Sequence, residues 1–242
     1  PTCEKFEKNI SKAYFTKDLM IKAIVFDFDG VLVDSERIKR EAWFSLFPDS
    51  LGISQDLIAD ALSRIKAARR DILKEIFFKK GVPQNEIPKR VDEYAEKYQI
   101  LTENLLFSQG LVAGAYNALS LLSKNYPLYI DSITPEEPLI ATAKRIGING
   151  FFKGIYGHPA AKAENLKKIF LREGILGSEA VFIGDRESDA AAAKEAGCFF
   201  IGVPNEENGW KKDTPFTLLF DFNTLESVID FELRNSSLDL NQ

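Results

Sequence analysis

The sequence predicts an α/β fold in which a parallel sheet core carries helices on both faces and an all-helical cap domain interrupts the chain after the first strand. Short apolar segments alternate with helical segments from about residue 110 onward, which is typical of such a sheet. In residues 35–107, by contrast, the apolar residues recur at helical spacing and no strand pattern is found. This segment far exceeds the usual ~2–6 residues between a strand and its helix, which indicates an inserted domain.

The elements follow in chain order. The first strand is predicted at 23–27, where an apolar run with Val and Ile ends at a carboxylate and a glycine. Later strands are predicted at 128–132, near Ile155, at 180–184, at 199–203 and at 217–220. The intervening helices are predicted at about 112–124, from Pro135, at about 163–173, at 187–196 and after the last strand.

Domain boundaries follow from the same patterns. Residues 1–34 and 108–242 are predicted to form the α/β core, and residues 35–107 the helical cap, which Gly81, Pro83 and Pro88 divide into segments. The cap contains a basic cluster, Arg64, Lys66, Arg69 and Arg70. These side chains could pair with an anionic group of a substrate, although such a cluster is more often a solvated helix face.

Composition limits the classes of partner. The chain of 242 residues is 45% hydrophobic and carries a net charge of -5, so no general electrostatic attraction to nucleic acid or to an anionic membrane is expected, while a local basic pocket remains open as an alternative. Cys3 and Cys198 lie far apart, outside any spacing for a zinc site or a disulfide framework. Charged residues interrupt the first twenty positions. We therefore expect a soluble, cytoplasmic protein, a monomer or weak homodimer, that acts on a small molecule.

Two acidic motifs each follow a predicted buried strand. Asp27 and Asp29 lie in Asp-Phe-Asp-Gly after the first strand, and Asp185 and Asp189 lie in Gly-Asp-Arg-Glu-Ser-Asp after strand 180–184. Parallel strands place their carboxyl ends at one edge of the sheet, where such folds bind ligands. Carboxylates gathered there repel one another unless a hard cation lies among them, which predicts a Mg²⁺ site. Asp189 could instead be an acid that stabilises a helix N-terminus.

These motifs, together with Ser132 and Lys162 between them, resemble those of the haloacid dehalogenase superfamily over about residues 23–203. The insertion resembles the helical-cap subclass, as in phosphoglycolate phosphatases and β-phosphoglucomutases. The resemblance implies a Rossmann-like core, Asp27 as a nucleophile that forms an aspartyl-phosphate, and Asp29 as general acid and base. It also implies that Ser132 and Lys162 bind phosphate, and that the metal ligands are Asp27, Asp29, Asp185 and Asp189.

Alternatives remain open at several of these positions. Thr134 competes with Ser132, because Ile133 stands where many relatives have asparagine, and Lys153 and Lys167 are rivals of Lys162. His158, the single histidine, has no role to fill if Asp29 transfers the proton. The residues predicted to bind substrate are Gly30, Ser132, Ile133, Lys162 and Arg69.

The expected activity is a Mg²⁺-dependent phosphatase that hydrolyses a small phosphorylated metabolite, such as a sugar phosphate or a phosphorylated hydroxy acid. A phosphosugar mutase would use the same two aspartates, and a catalytically silent binding module is a third possibility. Cleavage of carbon–halogen bonds is disfavoured by Asp29, since such members of the superfamily generally lack an acid at that position.

Overall fold

The structure, a computed structural model, describes residues 20–65, 68–211 and 213–231. The chain divides into two compact units. The core unit comprises the described residues up to Leu32 and from Val112 onward, and the helical unit is Val33–Leu111. None of the helices in the described part of the chain has both the length and the apolar character that a membrane span requires.

The core unit is built on a sheet in which every strand pairs in parallel with its neighbours. The strand order is β3-β2-β1-β4-β5-β6. The strands are β1 (Ala23–Phe26), β2 (Leu128–Pro135), β3 (Phe152–His158), β4 (Ala180–Gly184), β5 (Phe199–Gly202) and β6 (Thr217–Leu218). Every residue of β1 and β4 is buried, as expected of central strands covered on both faces.

Helices connect the strands and cover the sheet. In the core unit they are α5 (Ala115–Leu122), α6 (Glu136–Arg145), α7 (Lys162–Glu173) and α8 (Glu187–Ala196), and residues 225–231 are also helical. Helices α7 and α8 bury apolar side chains, including Leu166 and Ala193, against alternate residues of the strands such as Val25 and Phe182. This arrangement confirms the predicted α/β fold with its inserted helical domain.

The helical unit contains helices and no strand within its described residues. Its helices are α1 (Ser35–Ser45), α2 (Gln55–Arg64), α3 (Arg69–Lys79) and α4 (Ile87–Gln109). The unit has a hydrophobic core of its own, in which Phe47, Phe77 and Tyr94 pack ring against ring at centroid distances of 5.3–5.9 Å. The helical pattern of the sequence therefore reflects a separate core rather than a long loop.

Candidate active site

Asp27 lies immediately after β1, at the carboxyl end of the sheet. Its backbone N–H donates to the carbonyl of Ile183 at 2.8 Å and so extends the pairing of β1 with β4 by one residue. The residue is only 3% exposed, and its Oδ1 accepts a hydrogen bond of 2.7 Å from the backbone N–H of Phe28. The strand thus fixes the position of this buried carboxylate, and the following turn fixes its orientation.

Lys162, the first residue of α7, reaches this carboxylate. Its Nζ lies 2.8 Å from Oδ2 of Asp27 and 2.6 Å from Oδ1 of Asp189. The lysine is buried, as are both carboxylates. A buried ion pair is stable only when its charges are matched and hydrogen-bonded, and here one ammonium group serves two carboxylates. The site therefore carries excess negative charge around a fixed cation.

Asp189 lies in the first turn of α8 and stabilises the start of that helix. Its Oδ2 accepts hydrogen bonds from the backbone N–H groups of Asp185, at 3.2 Å, and Arg186, at 3.1 Å. Its Oδ1 accepts from Lys162. With three donors directed at it, Asp189 is largely satisfied within the protein. It holds the turn between β4 and α8 in place.

Asp185 differs because one of its oxygens remains free. Oδ2 accepts a hydrogen bond of 2.8 Å from Nδ2 of Asn205, whereas Oδ1 is buried and finds no hydrogen-bond partner among the described residues. Gly30 makes room for this carboxylate: a Cβ at position 30 would lie 2.1 Å from Oδ2 of Asp185. Gly30 also has φ of +77°, which a residue with a side chain rarely adopts.

Three of these carboxylates form a group that could hold a metal ion. Asp27, Asp185 and Asp189 each bring an oxygen within 4.8 Å of the others. A buried carboxylate oxygen without a partner is costly, and a hard cation with oxygen ligands would satisfy Oδ1 of Asp185. The donor set, all carboxylate oxygen, suits Mg²⁺ better than a softer metal. The residues present therefore fit the predicted cation.

The charges of the site perturb one another. Burial raises the pKa of Asp27 to about 8, with Lys162 acting to lower it and Asp189 to raise it. Burial, followed by the charge of Asp189, raises the pKa of Asp185 to about 6. Burial alone would lower the pKa of Lys162, but Asp27 and Asp189 outweigh that effect and raise it. The ammonium group of Lys162 is thus firmly protonated. Its single positive charge does not balance the three carboxylates of the group.

Asp29 lies apart from this carboxylate group. Its Oδ2 accepts a hydrogen bond of 2.9 Å from Oγ1 of Thr134, which joins the first motif to the end of β2. Ser132 is buried, and its Oγ accepts from the backbone N–H of Thr134 at 3.1 Å. Ile133 between them is 65% exposed. Ser132 and Thr134 therefore have different contacts: the first accepts from the backbone of its own strand, and the second donates to Asp29.

The remaining basic candidates differ in the partners that they contact. Lys153 pairs with Glu173 and Lys167 with Glu195, each at 2.8 Å or less, so both are engaged outside the site. In the helical unit, Arg69 lies over the ring of Tyr98, 4.5 Å from its centroid. Arg64 pairs with Asp60 and Arg70 with Asp92, while Lys66 lies outside the described residues.

Two residues of the site were not predicted from the sequence. Asn205 bonds to the carboxylate of Asp185, and Asn208 donates to the backbone carbonyl of the same residue at 2.8 Å. Both lie in the loop after β5, the strand next to β4. Because neighbouring parallel strands end at one edge, a polar side chain just after β5 was a usable signal.

The fold and this site define a hydrolase of the haloacid dehalogenase type. The family model for haloacid dehalogenase-like hydrolases matches residues 21–197, and the chain belongs to that family. This result confirms the resemblance drawn from the two acidic motifs.

The individual relatives that the chain resembles share less than a third of its residues in the aligned regions. The chain is 28% identical over 190 residues to a 5'-nucleotidase of Pseudomonas aeruginosa, an alignment that covers 74% of this chain and 81% of the relative. It is also 28% identical over 200 residues to a phosphorylated carbohydrates phosphatase of Thermotoga maritima, covering 79% and 89%. A crystal structure of a subfamily IA hydrolase from Geobacter sulfurreducens superposes with a TM-score of 0.64 at 20% identity, covering 86% and 96%. That last likeness concerns the fold.

Proposed function

We propose that this protein is a Mg²⁺-dependent phosphatase of small phosphate monoesters, with Asp27 as its nucleophile. The observation that carries the proposal is the contact of Asp27 with Lys162 at 2.8 Å, within a group of carboxylates that has a free oxygen on Asp185. The lysine favours the ionised form of Asp27, which is the form that can attack. The curated relatives named above act, according to their names, on nucleotides and phosphorylated carbohydrates.

In the proposed reaction, a carboxylate oxygen of Asp27 attacks phosphorus and the bond to the ester oxygen breaks. Asp29 gives its proton to the departing oxygen, so an alcohol leaves and an aspartyl-phosphate remains. Asp29 then accepts a proton from a water molecule as that water attacks the phosphorus, and the bond between phosphorus and the Asp27 oxygen breaks, which releases phosphate and regenerates Asp27. The hydrogen bond from Thr134 would hold the Asp29 carboxyl in place for both transfers.

During this transfer, the negative charge on the phosphoryl oxygens must be stabilised by nearby positive charge. Lys162 supplies one fixed charge, and Ser132 would offer its hydroxyl. Asp27 and Asp185 would hold the cation, with Asp189 behind them, because Asp189 already accepts three hydrogen bonds. When bound, Mg²⁺ would neutralise charge on the phosphoryl group and align it with the nucleophile.

The helical unit would act as a lid that excludes water and selects the part of the substrate that leaves. It has its own hydrophobic core, so it can move as a body without losing its fold. Within the basic cluster, Arg69 is the described member with no carboxylate partner among the described residues, which makes it the best candidate to pair with an anionic substrate group.

The test is phosphate release from a panel of sugar phosphates, nucleoside monophosphates and phosphorylated hydroxy acids, with Mg²⁺ and with chelator. We expect wild-type release only with Mg²⁺, and a loss of about 10³-fold or more in Asp27→Asn, as for nucleophiles that act as a unit with their partners. Asp230→Asn, at an exposed acid of the core unit, is the matched control and should retain full activity.

Two outcomes would count against the proposal. Release that persists in Asp27→Asn would remove Asp27 as the nucleophile. Isomerised sugar phosphate without stoichiometric free phosphate would indicate a phosphosugar mutase, which uses the same residues but returns the phosphoryl group to its substrate.

A further inference from the structure

Two asparagines in the loop after β5 donate hydrogen bonds to Asp185 of the second acidic motif. Asn205 donates from Nδ2 to Oδ2 of Asp185 at 2.8 Å. Its Oδ1 accepts from the backbone N–H groups of Glu207, at 2.9 Å, and Asn208, at 2.8 Å. Because the oxygen of this amide already has two donors, its nitrogen is the end that faces Asp185. The turn of the loop therefore dictates which atom meets the carboxylate.

Asn208 fixes the loop itself. Its Nδ2 donates to the backbone carbonyls of Asp185, at 2.8 Å, and Val203, at 2.9 Å. Its Oδ1 accepts from the backbone N–H groups of Asn205, at 3.1 Å, and Trp210, at 3.0 Å. All four hydrogen-bonding positions of the amide are used. Asn205 is consequently presented to Asp185 by a loop with little freedom to move.

The carboxylate of Asp185 is bounded on two sides. Asn205 occupies Oδ2 by a hydrogen bond, and Gly30 allows that same oxygen to approach closer than any residue with a Cβ would permit. The bond leaves Oδ1 as the oxygen without a partner among the described residues, and it is buried. The pattern is that of an outer-shell group that orients a metal-binding carboxylate.

We propose that Asn205 is a positioning residue that holds the Asp185 carboxylate so that Oδ1 stays available to a divalent cation. The inference rests on the proposed function, since it concerns the same cation. Asn205 touches neither the nucleophile nor the substrate phosphate in this scheme, so its effect reaches the reaction through Asp185. It should therefore change the affinity for Mg²⁺ more than the maximal rate.

The experiment compares wild type, Asn205→Ser and Asn223→Ser. Serine at 205 retains an oxygen that can accept from the turn but lacks the amide donor to Asp185. Asn223→Ser is the matched control, because Asn223 is an exposed asparagine that bonds to Asp221. Binding of Mg²⁺ is measured by calorimetry without substrate, and the Mg²⁺ dependence of phosphate release is measured in parallel. Unfolding temperatures in chelator show that each variant is folded.

For Asn205→Ser we expect Mg²⁺ affinity to fall about 10- to 100-fold, the usual effect of losing an outer-shell partner. The midpoint of the Mg²⁺ activation curve should move by the same factor, while kcat at saturating Mg²⁺ and the substrate KM stay within about threefold. Asn223→Ser should match wild type.

Equal Mg²⁺ affinity in Asn205→Ser and wild type would overturn the inference and leave the proposed function standing. A fall in kcat at saturating Mg²⁺ without any change in affinity would also overturn it. If wild type itself neither bound Mg²⁺ nor released phosphate, the proposed function would fail, and the inference with it.

Discussion

Lys162 offers the sharpest test of how the acidic site is held together. Its ammonium group is the shared partner of Asp27, at 2.8 Å, and Asp189, at 2.6 Å, and all three residues are buried. In Lys162→Met the volume is roughly kept while the charge is lost. The two carboxylates then remain buried without their cation. Removing one partner of a buried pair costs about 3–5 kcal/mol, and we expect a value in that range here.

The matched control is Lys167→Met, on the same helix. Lys167 pairs with Glu195 at 2.8 Å, a similar distance, but both side chains are more than half exposed. Exposed pairs of this kind contribute about 0–1 kcal/mol, so this variant should be close to wild type. Comparing the stability losses of these two variants separates the effect of removing a buried charge from the effect of removing a lysine side chain.

The assay is urea unfolding followed by circular dichroism, in chelator, with the slope of free energy against urea compared among the proteins. Adding Mg²⁺ should then stabilise Lys162→Met more than wild type, because the variant has lost a positive charge that the cation can replace. Ligand at a hundred times its Kd adds about 2.7 kcal/mol to a folded state. The reasoning is refuted if Lys162→Met and Lys167→Met lose the same small amount of stability.

Two further predictions concern neighbouring residues. Gly30→Ala should abolish phosphate release and Mg²⁺ binding, because its Cβ would lie 2.1 Å from Oδ2 of Asp185; Gly81→Ala, at φ of +80° with nothing within 4 Å, should share only the backbone strain. Asp131→Asn should alter the dependence of stability on pH. Burial raises the pKa of Asp131 from 3.8 to about 7, so its contribution to stability is complete below pH 4 and is lost as the pH rises toward 7.

Both predictions have direct measurements. For Gly30→Ala, activity and calorimetry are compared with Gly81→Ala; equal activity in the two variants would contradict the steric argument. For Asp131→Asn, free energies of unfolding are measured at pH 4 and pH 8. The difference in this free energy between variant and wild type should shift in favour of the variant by roughly 2–4 kcal/mol from pH 4 to pH 8. A difference between variant and wild type that is independent of pH would contradict the raised pKa.

Local sequence patterns predicted most of the fold. The strand 180–184 and the helix 187–196 have the predicted bounds, because an uninterrupted apolar run is followed at once by an acidic helix start. Strand β2 instead continues past the predicted residue 132 to Pro135. Its last three residues, Ile133, Thr134 and Pro135, do not continue the apolar strand run, but Pro135 pairs with His158 of β3. Pairing across the sheet, which no local pattern reports, extends this strand.

The site was less predictable than the fold, because spacing does not specify hydrogen bonds. The spacing of Asp185 and Asp189 indicated that both lie near the start of one helix, and they do. It could not show that one is saturated by donors while the other keeps an oxygen free. The position of Asn205 after a strand could indicate that it lies near the site, but it could not show that its amide contacts Asp185.

The count of hydrogen bonds assigns different tasks to the four acids. Asp189 accepts three and serves as a scaffold that ties Lys162 to the start of α8. Asp185 accepts one through its side chain and retains a buried free oxygen, the property a metal ligand needs. Asp27 faces the ammonium group, whereas Asp29 faces the hydroxyl of Thr134, away from any cationic partner among the described side chains. Lys162 acts to lower the pKa of Asp27 against the larger effect of burial, and so favours the anion that the proposed attack needs. The two aspartates of the first motif therefore have different partners, and in the proposed reaction Asp27 would attack phosphorus while Asp29 would transfer the proton.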